Sequence, residues 1–85
     1  MTFEHRNQGT CSQAVRFEIE GTTVRNVEFF GGCNGNLKGI ASLVDGMDID
    51  EVIQRTKGIR CGYKDTSCPD QLAQALEAAK AKLNK

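Results

Sequence analysis

Four cysteines in a chain of 85 residues are the constraint that any fold of this sequence must satisfy. A chain so short encloses only a modest apolar core. Domains of this size commonly carry an added tie: disulfides, a bound metal or a partner subunit. Cys11, Cys33, Cys61 and Cys68 are separated by 21, 27 and 6 residues. No Cys-x-x-Cys pair is present, so the spacing is neither that of a zinc ribbon or finger nor that of a thioredoxin-type dithiol. Spacing alone leaves three readings open: a shared metal site, disulfides in one of three pairings, and unrelated thiols.

The choice depends on compartment and partners. Eleven basic and eleven acidic residues give a net charge of zero, and no block of like charge occurs. A nucleic-acid binder normally shows a basic face, so none is expected as a partner. Tryptophan is absent and aromatics are few, which disfavours a base-stacking platform. No run approaches the roughly 20 apolar residues that cross a bilayer. Residues 1–8 are polar and lack the apolar centre of a secretory signal. The expectation is a cytoplasmic protein without membrane contact, a setting in which disulfides are rare. Four cysteines then lean toward metal or redox chemistry.

Residues 1–85 read as a single domain of α+β class, an N-terminal antiparallel sheet covered by three C-terminal helices. Val15, Phe17 and Ile19 alternate with Arg16, Glu18 and Glu20, the pattern of a half-buried strand over 14–20. Gly21-Thr22 supplies a turn, and Thr23 to Phe30 forms a second strand. Its alternation is imperfect, because Val27 and Phe29 share one face while Val24 and Phe30 share the other; a bulge would repair it. Phe3 to Arg6 is a candidate edge strand. Leu37, Ile40, Ala41 and Val44 make one helical stripe. Asp48 and Glu51 resemble a capping box for a short helix carrying Ile49, Val52 and Ile53 and ending at Gly58. Ser67-Cys68-Pro69-Asp70 reads as a helix start with Pro69 in the first helical position, followed by a stripe of Leu72, Ala75, Leu76, Ala79 and Leu83.

On this layout the cysteines fall at junctions. Cys11 precedes the first long strand, Cys33 lies between strand and helix, Cys61 is in a loop, and Cys68 opens the last helix. None sits within an apolar stripe, where an inert packing cysteine belongs. A helix N-terminus carries unpaired N–H groups and partial positive charge, which favour thiolate, the metal-binding form, at Cys33 and Cys68. Gly31, Gly32 and Gly35 permit tight turning, and their N–H groups are candidate donors to metal-bound sulfur.

The stretch Asp65-Thr66-Ser67-Cys68-Pro69-Asp70-Gln71-Leu72 contains the Thr-Ser-Cys-Pro-Asp signature and resembles the TSCPD domain family. The segments 31–40 and 58–62 are also similar to small stand-alone members, and the likeness runs from Gly9-Thr10-Cys11-Ser12 to the last helix. Relatives occur at the C-terminal end of some adenosylcobalamin-dependent ribonucleotide reductases. The resemblance therefore implies an accessory or regulatory protein related to ribonucleotide reductase and deoxynucleotide synthesis, with the reductase as a possible partner. The chain is too short to hold a reductase barrel, so enzyme activity of its own is not expected.

In architecture the chain also resembles the iron–sulfur scaffold proteins of the IscU and NifU N-terminal type. Cys11, Cys33 and Cys68 match the three ligand cysteines of that family, Phe30-Gly31-Gly32-Cys33 its turn, and 44–52 the segment joining its first two helices. Two positions depart from it: Gln13 stands where scaffolds carry aspartate, and Ser67 where they carry histidine. Cys61 is an addition. Four thiolates would hold a metal more firmly than a site with a releasing aspartate. The resemblances together imply a cysteine-ligated metal module of Cys11, Cys33, Cys61 and Cys68. Zinc is preferred and an iron–sulfur cluster is the alternative. A scaffold or carrier role with iron–sulfur machinery as partner is a further reading.

Ordinary roles account for the remaining residues. His5 reads as an exposed terminal residue rather than a ligand. Segment 32–38 lacks the glycine before the lysine and the following Ser or Thr of a phosphate loop. Asp65 and Asp70 read as loop solvation and helix capping, and Tyr63 and Lys64 as loop residues. A thiol enzyme is disfavoured because no histidine is paired with a cysteine nucleophile. A homodimer is possible through an edge strand, though nothing in the sequence requires one.

Overall fold

A computed structural model describes residues 2–10, 12–32, 34–62 and 66–83 of the chain. Three strands, β1 (Thr2–Arg6), β2 (Ser12–Glu20) and β3 (Thr23–Gly31), precede three helices, α1 (Asn34–Val44), α2 (Ile49–Thr56) and α3 (Cys68–Leu83). The sheet is antiparallel in the order β1-β2-β3, which is the α+β layout expected.

The central strand sets the core. Val15, Phe17 and Ile19 of β2 are buried, and Phe3 of β1 lies opposite Phe17 with its ring stacked at 5.7 Å. Leu37 and Val44 of α1, Ile49 and Val52 of α2, and Leu72, Ala75, Leu76 and Ala79 of α3 complete the apolar interior. Helix α1 packs on β3, α2 on α3, and α3 reaches β1 and β2. Leu83 departs from the expected stripe: it is exposed, because the last turn of α3 runs past the core.

The expected bulge is present in β3. Arg16 pairs with Glu28 and Glu18 with Arg25, so β3 carries one residue more than β2 between these pairs. Asn26, within that interval, has φ of 54°, a left-handed conformation that asparagine tolerates better than most residues. Its backbone N–H donates to Asp45 Oδ1 at 2.9 Å. The extra residue resets the pleat, so Val24 and Val27 are both buried while Phe30 is exposed.

A second irregularity lies at the other end of β2. Ser12 pairs with Gly31 and Ala14 with Phe30, so here the extra residue is in β2. Strict alternation back from Val15 would turn Gln13 inward. The irregularity instead buries Ser12 and exposes Gln13.

The α1–α2 connection covers the start of β3 as a short fourth strand would. Gly46 N–H donates to Val24 O, Val24 N–H to Met47 O and Ile49 N–H to Thr22 O, at 2.7, 2.8 and 2.8 Å. Asp48 then caps α2, its carboxylate accepting from Asp50 and Glu51 N–H. Gly58, at φ +83°, follows the end of α2 as expected.

Replacing Asn26 by valine places a β-branched side chain in the left-handed region and is expected to cost about 1–2 kcal/mol, whereas Asn26→Gly retains most of the stability. Urea denaturation of the two variants checks this. Equal losses would mean that the bulge does not depend on backbone conformation at this position.

Candidate functional site

The Thr-Ser-Cys-Pro-Asp segment lies at the start of α3, and each of its polar groups joins that helix to another part of the chain. Ser67 caps the helix: its Oγ accepts from Asp70 N–H at 3.1 Å. Helix α3 therefore opens at Cys68, and Pro69 is its second residue rather than its first. Proline still fits, because N–H groups of the first turn have no partner within the helix.

Asp70 does not cap its own helix as expected. One carboxylate oxygen accepts from Gly58 N–H at 2.7 Å, which fastens the end of α2 to α3. The other accepts from Thr66 Oγ1 and from Gln74 Nε2, the latter at 3.0 Å. Burial leaves this carboxylate only 6% exposed and by itself would raise its pKa. The bonds from Thr66, Gly58 and Gln74, with the positive charge of Lys57, outweigh burial and hold the pKa below its ordinary value.

Gln71 carries the joint on to the N-terminus. Its Oε1 accepts from Gln8 N–H at 3.1 Å, and its Nε2 donates to Thr66 Oγ1 at 3.0 Å. The hydrogen of Thr66 is thereby directed to Asp70. His5 Nε2 lies 3.2 Å from Gln71 Oε1, and since that oxygen is an acceptor, His5 is the donor. His5 is half-buried on β1, which corrects the expectation of an exposed terminal residue. The loop before β2 is drawn in as well: a Cβ on Gly9, at φ +73°, would stand 3.2 Å from Thr66 Cγ2.

Cys68 is buried, 7% exposed, and its Sγ lies 2.9 Å from Ser12 Oγ. Ser12 Oγ also accepts from Asn7 Nδ2 at 2.7 Å, and Thr10 Oγ1 donates to the Ser12 carbonyl at 2.9 Å. Asn7 is 8% exposed, and its Oδ1 has no hydrogen-bond partner among the described residues. Cys61 is exposed, and its backbone N–H donates to Thr66 O at 3.2 Å. Cys11 and Cys33 lie outside the described residues, as do Tyr63, Lys64 and Asp65. Among the described residues, no three His, Cys, Asp or Glu side chains form a group that could hold a metal ion.

Sequence reasoning missed Ser12, Asn7 and Gln71. Ser12 was hidden by the irregularity in β2. Gln71 follows the signature, but its partners His5 and Gln8 are more than 60 residues away. No helix among the described residues is long and apolar enough to cross a membrane.

The sequence model of the TSCPD domain family matches residues 1–80. No curated protein and no solved structure matches the chain. The likeness to iron–sulfur scaffolds thus rests on the sequence pattern alone.

The lowered pKa of Asp70 ties stability to pH. As pH falls, the unfolded chain, with the ordinary value of 3.8, takes up this proton before the folded chain does. The contribution is complete above that value, declines below it, and is lost once the folded-state pKa is passed. Asp70→Asn is expected to cost about 1.5–3 kcal/mol at neutral pH, with the gap to wild type narrowing as pH falls below 3.8. Urea unfolding across this range tests it; a gap independent of pH would show that the charge contributes nothing.

Proposed function

The chain belongs to the TSCPD domain family, and from that premise we propose that it is a cysteine-ligated metal-binding module, with Cys11, Cys33, Cys61 and Cys68 as ligands and zinc as the preferred ion. The observation that carries this reading is that the described chain neighbours of the four cysteines meet around the start of α3. Ser12, next to Cys11, touches Cys68 Sγ. Ser12 is also the cross-strand partner of Gly31, two residues before Cys33. Consecutive Cα atoms are about 3.8 Å apart, so two residues span little more than 7 Å. Cys61 is tied through its N–H to Thr66, two residues before Cys68.

The donor chemistry fits such an ion. Thiolates are the ligands of closed structural zinc sites and of iron–sulfur clusters. Cys68 opens a 16-residue helix, whose N-terminal N–H groups and dipole favour thiolate. Of the oxygen ligands nearby, Asp70 is occupied by three hydrogen bonds that hold the fold together. A resident ion would join the sheet, the α2–α3 loop and α3 at one point, supplying the tie that a chain of this length commonly needs.

We read the module as acting through a protein partner rather than as an enzyme by itself. Its single histidine, the natural base for a cysteine nucleophile, is engaged with Gln71. The family context makes ribonucleotide reductase the first partner to test.

Elemental analysis and absorption spectra of protein purified without oxygen test the reading. About one zinc per chain is expected, or iron with visible sulfur-to-iron absorption if a cluster is bound. Cys61→Ser is the most informative variant. Cys61 is exposed, so the change should barely alter metal-free stability while weakening metal retention. A wild-type protein that folds normally and takes up neither zinc nor iron after reconstitution would sink the proposal.

A further inference from the structure

The hydroxyl of Ser12 is part of no expected ligand set, yet it lies against the sulfur of Cys68 and is met on its other side by the amide of Asn7. We propose that Ser12 is a positioning residue that donates its hydrogen to the Cys68 sulfur, with Asn7 holding the hydroxyl in that direction. The idea rests on the metal-module reading only for what the bond would tune; the bond itself is a property of the metal-free chain.

The direction follows from the donors available. Asn7 Nδ2 lies 2.7 Å from Ser12 Oγ and is a donor, so the serine oxygen accepts there. Thr10 has committed its hydrogen to the Ser12 carbonyl, 2.9 Å away. The serine hydrogen has two described acceptors: Cys68 Sγ at 2.9 Å and Thr10 Oγ1 at 3.4 Å. The sulfur is nearer. The opposite arrangement, a thiol donating to serine, would leave the serine hydrogen only the longer contact.

A hydroxyl that donates to sulfur has a defined effect on a ligand cysteine. It draws electron density from the sulfur and fixes the side chain, in the way that outer groups orient and tune ligands at metal sites. The irregularity at the start of β2 is what makes this possible. It turns Ser12 inward, where regular alternation would have presented Gln13. The contact joins residues 56 apart in sequence, so it also holds the start of β2 to the start of α3.

Cobalt(II), added alone to the full chain, is the probe. In Ser12→Ala the sulfur-to-cobalt charge-transfer band should move to longer wavelength, because the sulfur lone pair rises in energy without its donor. Ser12→Thr should restore the band. An unmoved band with cobalt bound overturns the proposal. If no cobalt binds at all, the metal reading has failed, and infrared spectroscopy decides the bond separately. Cys11, Cys33 and Cys61 are replaced by serine, and the S–H stretch of Cys68 is read with and without Ser12→Ala. A stretch that rises in frequency when the serine is removed shows the thiol donating and overturns the assigned direction; one that does not rise upholds it. Should Ser12→Ala fail to fold, Asn7→Asp serves in both experiments, since a carboxylate accepts the serine hydrogen and withdraws it from sulfur. In the infrared reading of that variant a stretch that falls, as the freed serine oxygen accepts from the thiol, upholds the assigned direction, and an unmoved stretch overturns it.

Discussion

Asp70 accepts hydrogen bonds from the end of α2, from the loop before α3 and from α3 itself, and the arrangement of the C-terminal half depends on this one carboxylate. A carboxylate removed from water is costly unless its lone pairs are satisfied. Here the partners outweigh burial, and the lowered pKa is the sign of it. Through Thr66 the same network reaches Gln71, and through Gln71 it reaches Gln8 and His5. Edge strand, preceding loop and two helices are thus held at the first turn of α3. The family signature coincides with this joint, and its threonine, serine and aspartate all have structural work there.

The elements were legible in the sequence because they obey simple periods. Val15, Phe17 and Ile19 alternate and are buried; Leu37, Ile40, Ala41 and Val44 form a stripe whose end members are buried. Asp48 caps α2 as its sequence position suggests. What alternation misjudges are the two places where the pleat slips. At Asn26 the broken pattern itself announced a bulge, because two apolar pairs contradicted each other. At Ser12 nothing announced it, since Ser12 and Gln13 are both polar and either can face inward without breaking a visible pattern. Leu83 shows the converse: it continues a stripe beyond the core that gave the stripe its purpose.

For the candidate site the sequence offers residue types and no geometry. Four cysteines at element junctions mark a possible site, but only the antiparallel return of β3 along β2 and the seating of α3 beneath Ser12 bring their neighbours together. These are tertiary facts, dependent on pairings between residues far apart in sequence. The polar support of the site was hidden for the same reason. His5 reads as a tail residue until Gln71 is seen beside it. Asp70 reads as a helix cap until Ser67 is found doing that work.

The surroundings of Cys68 bear on why cysteine is used there. A cysteine kept only for packing behaves as a small apolar side chain and favours apolar neighbours. On α3, Leu72, Ala75, Leu76 and Ala79 have such surroundings in the core. Cys68 is instead met by the hydroxyl of Ser12, itself held by Asn7, whose other amide atom is buried without a partner among the described residues. An alanine in place of this sulfur would leave the Ser12 hydroxyl with a weaker contact and would gain nothing from the helix N-terminus. Burying Ser12 and Asn7 beside one sulfur is a poor way to pack a core. It is a reasonable way to hold a sulfur whose electron density matters.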